Sequence, residues 1–508
     1  MSRFKNFALP VLAFLALAAG PLGARVIDTP AGELRGTESG GVYRFAGVPY
    51  AASPVGDLRW RMPVPLTGWE GVRDAVDYAP DCLQVPYAEG SPYYRELGPV
   101  SEDCLYLNVW SADLSPAEPA PVMVWIHGGA FTRGSGARPT YDGAGLARDG
   151  VVLVTINYRL GIFGYLAHPA LTAEQGGASG NYGLGDQVAA LRWVRDNIAA
   201  FGGDPGRVTI FGESAGSSAV SQLLAAPGAA GLFHGAIGQS GGFLTPQDEL
   251  AAGEDKGVRA FAALGADTPA AAREIPAREV LATFVELEGE GVGSRPIVDG
   301  ALIPGQLYDL FKAGDYNKVP SLVGYNRDES SAFALAPDVP FLFRNQADFE
   351  AGLKEFAGIG AYPFIWLYPE QEGSTQPYLD FWRDLVFGWN MQAWARLNER
   401  AGEPAWLYFF THVPGDDVGK QLGAYHAAEI PYIFGNGVPP AGADERVHEL
   451  LRGYWVNFAR AGDPNGHGLP AWPRFGGDAA YLELSASPRA DDSLHWKQMA
   501  LWSFAFSR

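Results

Sequence analysis

Residues Gly212-Glu213-Ser214-Ala215-Gly216 place a serine with a glycine two positions away on either side. A serine hydroxyl is a poor nucleophile at neutral pH, so acyl-transfer chemistry at Ser214 needs a base within hydrogen-bond reach and a third group to orient that base. The pentapeptide follows an apolar, β-branched run, Arg207-Val208-Thr209-Ile210-Phe211, and precedes Ser217 to Ala226, where Val220, Leu223 and Leu224 fall at helical spacing. Strand, sharp turn and helix in that order predict a nucleophile elbow, whose tightness leaves no room for side chains where the glycines stand. A plain strand-to-helix turn capped by serine is the competing reading.

Eight histidines are available as the base. His426 lies in a loop between a predicted strand and Ile430-Pro431-Tyr432-Ile433-Phe434, and it follows the serine, as the order serine, acid, histidine requires. His127, His168, His234, His412, His448, His467 and His495 have no such context and read as structural or exposed. The acid should lie at a strand end between serine and histidine. Leu322-Val323-Gly324-Tyr325-Asn326 leads into Arg327-Asp328-Glu329-Ser330, and the residues alone do not choose between Asp328 and Glu329. Asp299, after Arg295-Pro296-Ile297-Val298, reads as a turn residue. A developing oxyanion needs backbone N–H donors aimed at it, each worth about 10²–10³ in rate. The loop His127-Gly128-Gly129-Ala130 offers them, glycine allowing close approach. Glu213, beside the serine, reads first as a tie for the elbow and second as an attractor for a cationic substrate group.

These groups must be carried by rigid elements. Val122-Met123-Val124-Trp125-Ile126 and Val151-Val152-Leu153-Val154-Thr155-Ile156 are apolar almost throughout, as strands buried on both faces are. Ala236 to Gln239, Ser321 to Gly324 and Trp406 to Phe410 fit the same sheet. Asp186 to Phe201 carries a helical stripe of Val188, Leu191, Trp193, Val194 and Ile198, stopped by Gly202-Gly203-Asp204-Pro205. Strand, helix, strand implies a parallel crossover and puts Ser214 at the carboxyl end of a central strand. Pro246 to Gly291 reads as a helical excursion over the sheet, and Ala441 to Arg460 ends in an amphipathic helix with Val447, Leu450, Leu451, Tyr454 and Phe458 in register. Arg25 to Gly41 reads as short strands and turns, part of a surface meander packed on the sheet. The fold class is α/β, a mostly parallel central sheet covered by helices.

Length alone, at 508 residues, would predict two or three domains. Lys and Arg number 37 against 57 Asp and Glu, and the resulting formal charge of −20 repels phosphate backbones and anionic lipid, so nucleic acid is no expected partner. Arg3 and Lys5 precede an apolar run from Phe7 to Ala19, then small residues, which is the pattern of an export signal over residues 1–20 with cleavage between 18 and 24. That run is too short to span a membrane, and no later stretch qualifies. The destination is periplasmic or extracellular, and there the two cysteines, Cys82 and Cys104, are expected to pair. Asp463-Pro464-Asn465-Gly466 lacks the further ligands of a calcium loop and reads as a turn. No metal or cofactor is implied.

Several segments together resemble the type-B carboxylesterase family, the cholinesterase-like branch of the α/β hydrolases: Phe45 to Ala51 with Leu58-Arg59-Trp60, Ser101 to Asn108, Trp125 to Phe131, Asn181 to Gln187, Phe201 to Gly216 and Gly423 to Tyr432. The resemblance implies one large α/β-hydrolase domain over residues 25–508, a Cys82–Cys104 disulfide loop, Glu329 as the acid, and Gly129, Ala130 and Ala215 as the oxyanion donors. Its expected substrate is a small-molecule carboxylic ester. This chain departs from the family pattern at Ala130 and Ala427, where glycine is usual. Choline esters fit poorly, because no tryptophan stands between the cysteines to stack on an ammonium group, although Tyr87, Tyr93 and Tyr94 do stand there. A non-catalytic binding or adhesion protein on the same fold is the alternative function. Such relatives lose a member of the triad, whereas Ser214, Glu329 and His426 are all present.

Overall fold

The computed structural model describes residues 23–289, 292, 293, 295–335, 346–369, 377–438 and 441–506. The expected leader, residues 1–20, lies outside them. One 13-stranded sheet runs through the described chain. Its middle is parallel, in the spatial order Val152–Ile156, Ala120–Ile126, Gly203–Glu213, Gly235–Gln239, Ser321–Asn326, Ala405–Phe410, Ala480–Leu484. The continuous apolar runs are explained by burial on both faces: every residue of Val152–Ile156, Gly235–Gln239, Ser321–Asn326 and Ala405–Phe410 is buried.

The period of two sorts neighbouring side chains to opposite faces. Val122, Val124 and Ile126 join Val154, Ile210, Leu191 and Leu223 in one core. Met123 and Trp125 join Leu153, Phe211, Leu451 and Trp455 in the other. Helices Tyr182–Asn197 and Ala215–Ala225 cover the first face, and Gly442–Ala461 covers the second with Val447, Leu450, Leu451, Tyr454 and Phe458 inward. The excursion from Pro246 resolves into helices Leu250–Ala263, Pro269–Glu274 and Ala277–Gly289. Residues 290 and 291 fall outside the described chain.

Val152–Ile156 and Gly203–Glu213 are parallel, as the strand-helix-strand pattern predicts, but Ala120–Ile126 is inserted between them. The order matters for the site. From Ala120–Ile126 the chain leaves toward Val152–Ile156, and from Gly203–Glu213 it leaves the other way, toward Gly235–Gln239. Loops departing in opposite directions open a crevice at the strand ends, and in such sheets ligands bind there. The segment from Arg25 to Gly41 is corrected by the structure: it does not lie on the sheet but extends it, Gly23–Thr29, Gly32–Ser39 and Val42–Pro49 pairing antiparallel in turn with one another and then with Tyr106–Ser111. Cys82 and Cys104 are joined in a disulfide.

Candidate active site

Ser214 ends the Gly203–Glu213 strand with φ 58° and ψ −124°, a left-handed backbone that a non-glycine residue adopts only under constraint. The constraint is visible: its N–H donates to Gln239 O at 2.8 Å and its carbonyl accepts Ser218 N–H at 2.9 Å. The glycines are required by contact. A Cβ at position 212 would lie 2.6 Å from the carbonyl carbon of Gly216, and a Cβ at 216 would lie 2.0 Å from the carbonyl oxygen of Ile126. Ala215 opens helix Ala215–Ala225, so its amide is among the donors that an α-helix leaves without an internal partner.

The loop after Ala120–Ile126 runs directly past this turn. A Cβ at Gly128 would sit 3.0 Å from Ser214 Cβ. Gly129, Ala130 and Phe131 all have positive φ, at 113°, 56° and 62°. Gly129 O is held by the amides of Thr132 and Arg133, at 3.0 and 2.9 Å. Among the described residues, the amides of Gly129 and Ala130 donate no backbone hydrogen bond of their own. His127 is structural: its ring stacks on Tyr158 at 4.4 Å, and burial drives its pKa down to about 3, so it carries no charge.

The long-range partners meet here too. His426 Nδ1 lies 2.6 Å from Glu329 Oε2, and both side chains are buried. Glu329 Oε1 accepts the amide of Asn326 at 2.8 Å, which fixes the carboxylate plane. Asp328 does different work: its Oδ2 accepts the Ala424 amide at 2.7 Å, tying the strand end to the loop that carries the histidine. Asp299 caps its own turn through the amides of Ala301 and Ile303. Ala427 stands at φ 72°, the conformation glycine would adopt without strain. His426 Nε2 does not hydrogen-bond Ser214; it faces Glu213 Oε1 at 3.0 Å, out of hydrogen-bond alignment. A histidine that serves as base need not be aligned with the hydroxyl until substrate is in place.

The carboxylesterase family profile matches residues 23–502. The chain belongs to this family. Among its relatives, the carboxylesterase is 40% identical over 486 residues to the fumonisin B1 esterase of Sphingopyxis macrogoltabida, with 91% of this chain and 87% of that protein covered. It is 36% identical over 467 residues to the para-nitrobenzyl esterase of Bacillus subtilis (strain 168), covering 89% and 92%. Its structure is similar to that of carboxylesterase EST55 of Geobacillus stearothermophilus, with TM-score 0.83 and 35% identity over 94% of this chain and 99% of that one. The fold is that of the α/β hydrolases, and the protein is a carboxylic ester hydrolase.

Electrostatics in the carboxylesterase site turn on three buried glutamates. Burial pushes Glu213 up to about 8, with the charges of Glu429 and Glu329 adding to the rise. His426 is raised to about 9: burial opposes its charging, and the carboxylates of Glu213 and Glu329 outweigh that opposition. Glu429, also raised by burial, accepts from Gln239 Nε2 at 2.9 Å and Asn326 Nδ2 at 2.7 Å. Phe333 and Phe387 flank the imidazole, each ring 4.8 Å from it. Of these, sequence reasoning gave Glu213 a tie to the elbow or an attraction for a cationic substrate group, not a contact with the histidine, and it missed Glu429, Phe333 and Phe387. The one local signal was the placement of Glu429 three residues after the histidine. No helix of the described residues is long and apolar enough to cross a membrane.

Proposed function

We propose that this carboxylesterase works through an acyl-serine intermediate formed on Ser214, with His426 as base and acid and Glu329 as the group that orients it. The observation that carries the reading is the buried His426–Glu329 contact at 2.6 Å beside a strained serine turn. Ser214 Oγ attacks the ester carbonyl carbon as His426 Nε2 takes the hydroxyl proton. The charge that develops on the carbonyl oxygen is received by the amides of Gly129, Ala130 and Ala215, the donors the loop and the helix start hold ready. Collapse breaks the bond to the alcohol oxygen, which leaves with the proton from His426. Water then repeats the sequence, giving up a proton to His426 as its oxygen attacks the acyl carbon, and the carboxylic acid departs as Ser214 regains its proton.

The aromatic rings beside His426 favour a small to medium, fairly apolar ester. Residues 1–20 are read as an export leader cut between 18 and 24, so that the mature enzyme, one domain over residues 25–508, acts in the periplasm or outside the cell. The disulfide is in keeping with that destination.

The test is turnover of p-nitrophenyl esters from acetate to decanoate, and of a p-nitrobenzyl ester, by the mature protein and by Ser214→Ala. The wild type should give a burst followed by steady turnover, and the variant should fall by about 10⁴-fold or more. A Ser214→Ala enzyme that keeps wild-type rates, or a wild type that no fluorophosphonate labels at Ser214, overturns the assignment.

A further inference from the structure

The loop closed by Cys82 and Cys104 touches both halves of the site. Near its start, buried Gln84 grips the segment that carries Gly129 and Ala130: its Nε2 donates to Gly134 O at 2.7 Å, and its Oε1 accepts the Gly134 amide at 2.8 Å. Gly134 is pressed from the other side as well, since a Cβ there would lie 2.2 Å from His127 Nδ1. Farther along, Tyr87 lies under the Arg133 guanidinium at 4.9 Å and beside Tyr93 at 5.6 Å. At the far end the Tyr93 hydroxyl donates to the main-chain oxygen of His426 at 3.2 Å, and its ring packs on Phe333 at 6.0 Å. Arg138 Nη2 donates to Tyr93 O at 3.4 Å, a second strut from the oxyanion side.

The oxyanion donors and the imidazole thus follow separate strands, Ala120–Ile126 and Ala405–Phe410, and one short covalently closed loop spans them. We propose that this loop is the brace that sets the spacing between the oxyanion donors and His426, with Gln84 and Tyr93 as its two positioning residues. The proposal rests on the roles assigned above to Ser214, His426, Gly129 and Ala130. The spacing counts in the transition state, when the proton moves to His426 while charge builds on the carbonyl oxygen, and counts little when the substrate merely binds. The disulfide lies two residues before Gln84 and anchors that end of the loop. Gln84 does not reach the imidazole, and Tyr93 meets His426 at its main-chain oxygen and through an edge contact of the rings, 6.4 Å between centroids.

The experiment measures kcat, KM and melting temperature with p-nitrophenyl butyrate for the wild type, Tyr93→Phe, Gln84→Leu, the double variant, and the wild type reduced under native conditions. Tyr93→Phe removes a hydroxyl and leaves the ring packing in place. Its kcat should fall by about 10- to 100-fold, the size of effect an ångström of misplacement produces, while KM stays within about twofold and the melting temperature holds. The double variant should fall little further than the worse single one, because either change releases the same brace. The reduced wild type should lose kcat in the same way while still folded. If Gln84→Leu does not fold, Tyr93→Phe and the reduced wild type decide. Unchanged kcat in both overturns the brace, and so does a rise in KM at constant kcat, which would make the loop a pocket wall. Loss of both wild-type turnover and fluorophosphonate labelling at Ser214 overturns the assignment of the serine and the brace with it. Retained labelling and turnover with unaffected variants overturns the brace alone.

Discussion

His426 Nε2 lies 3.0 Å from Glu213 Oε1, and neither atom completes an aligned hydrogen bond. On the proposed mechanism, the nitrogen that takes the serine proton therefore lies beside a second carboxyl group, and the charge on that group should set the pH range of turnover.

Glu213→Gln keeps the shape of the side chain and removes its titrating charge. The histidine must be neutral to act as base, and a negative neighbour holds its proton on. His426 sits near 9 because the Glu213 and Glu329 carboxylates outweigh burial. Glu213 itself is lifted by burial to about 8, so around neutral pH the two groups share protons and titrate as a pair. Taking away the Glu213 charge lowers the histidine pKa, and the ascending limb of kcat/KM should move toward lower pH. A pH profile of p-nitrophenyl acetate hydrolysis for wild type and variant reads this directly. A limb that stays in place, or moves to higher pH, contradicts the account.

Gly216→Ala should cost both stability and activity. The added methyl would lie 2.0 Å from Ile126 O and 3.0 Å from the His127 carbonyl carbon, and both are backbone atoms of the neighbouring strand and loop that lead to the proposed oxyanion donors, Gly129 and Ala130. Neither can swing aside as a flexible side chain would. The cost should be about 1–3 kcal/mol in denaturant unfolding, as overpacking usually gives. Turnover should drop by about 10²-fold or more, since the donors move relative to Ser214. The contrasting change is Gly177→Ala: nothing lies within 4 Å of the added methyl, so its effect is confined to the cost of its positive φ.

Much of this is legible in the sequence because the central strands are buried on both faces and read as unbroken apolar runs, and because a glycine pair around Ser214, weak by itself, falls between a strand and a helix, which favours an elbow over a plain capped turn. The edges are not. Arg489–Asp492 is exposed at every residue and carries no apolar pattern, although it pairs with Ala480–Leu484. Arg25 to Gly41 reads as a meander because a mostly exposed edge ribbon, with only Leu34 and Gly36 of its two strands buried, carries no clear apolar alternation. Asp328 and Glu329 are adjacent in sequence, and only the fold separates them, sending one to the Ala424 amide and the other to His426. The Glu213–His426 contact joins residues far apart in the chain, and nothing local announces it.

Arg159→Met tests the buried ion pair that ties the end of the Val152–Ile156 strand to helix Tyr182–Asn197. Arg159 follows the Val152–Ile156 strand, and its guanidinium meets Asp186 through Nε at 2.8 Å and Nη2 at 2.7 Å, while its amide donates to the same carboxylate at 3.0 Å. Side-chain exposure is 3% for the arginine and 0% for the aspartate, so water cannot replace the lost partner. Removing one member of a buried pair strands the other, at about 3–5 kcal/mol. Chemical denaturation should show that loss, and the double change Arg159→Met with Asp186→Leu should recover part of it. A single variant as stable as wild type would mean that the stranded carboxylate had found another partner.

Ala427→Gly should stabilise the enzyme, an unusual direction for a change next to His426. Position 427 stands at φ 72°, where an L-residue with a Cβ is strained by about 1–2 kcal/mol. Glycine relieves the strain and returns about 0.5–1 kcal/mol of it through the greater entropy of the unfolded chain. The balance leaves a gain of about 0–1.5 kcal/mol, readable as a small rise in melting temperature. Ala427→Val should do the reverse, because a β-branched side chain is a true outlier in that region, and the loop would have to shift. Since Tyr93 and Glu329 hold His426 from two other sides, at 3.2 and 2.6 Å, kcat should follow stability only in the valine variant, where the backbone moves. Equal melting temperatures for glycine, alanine and valine at 427 would show that the loop does not hold this conformation in solution.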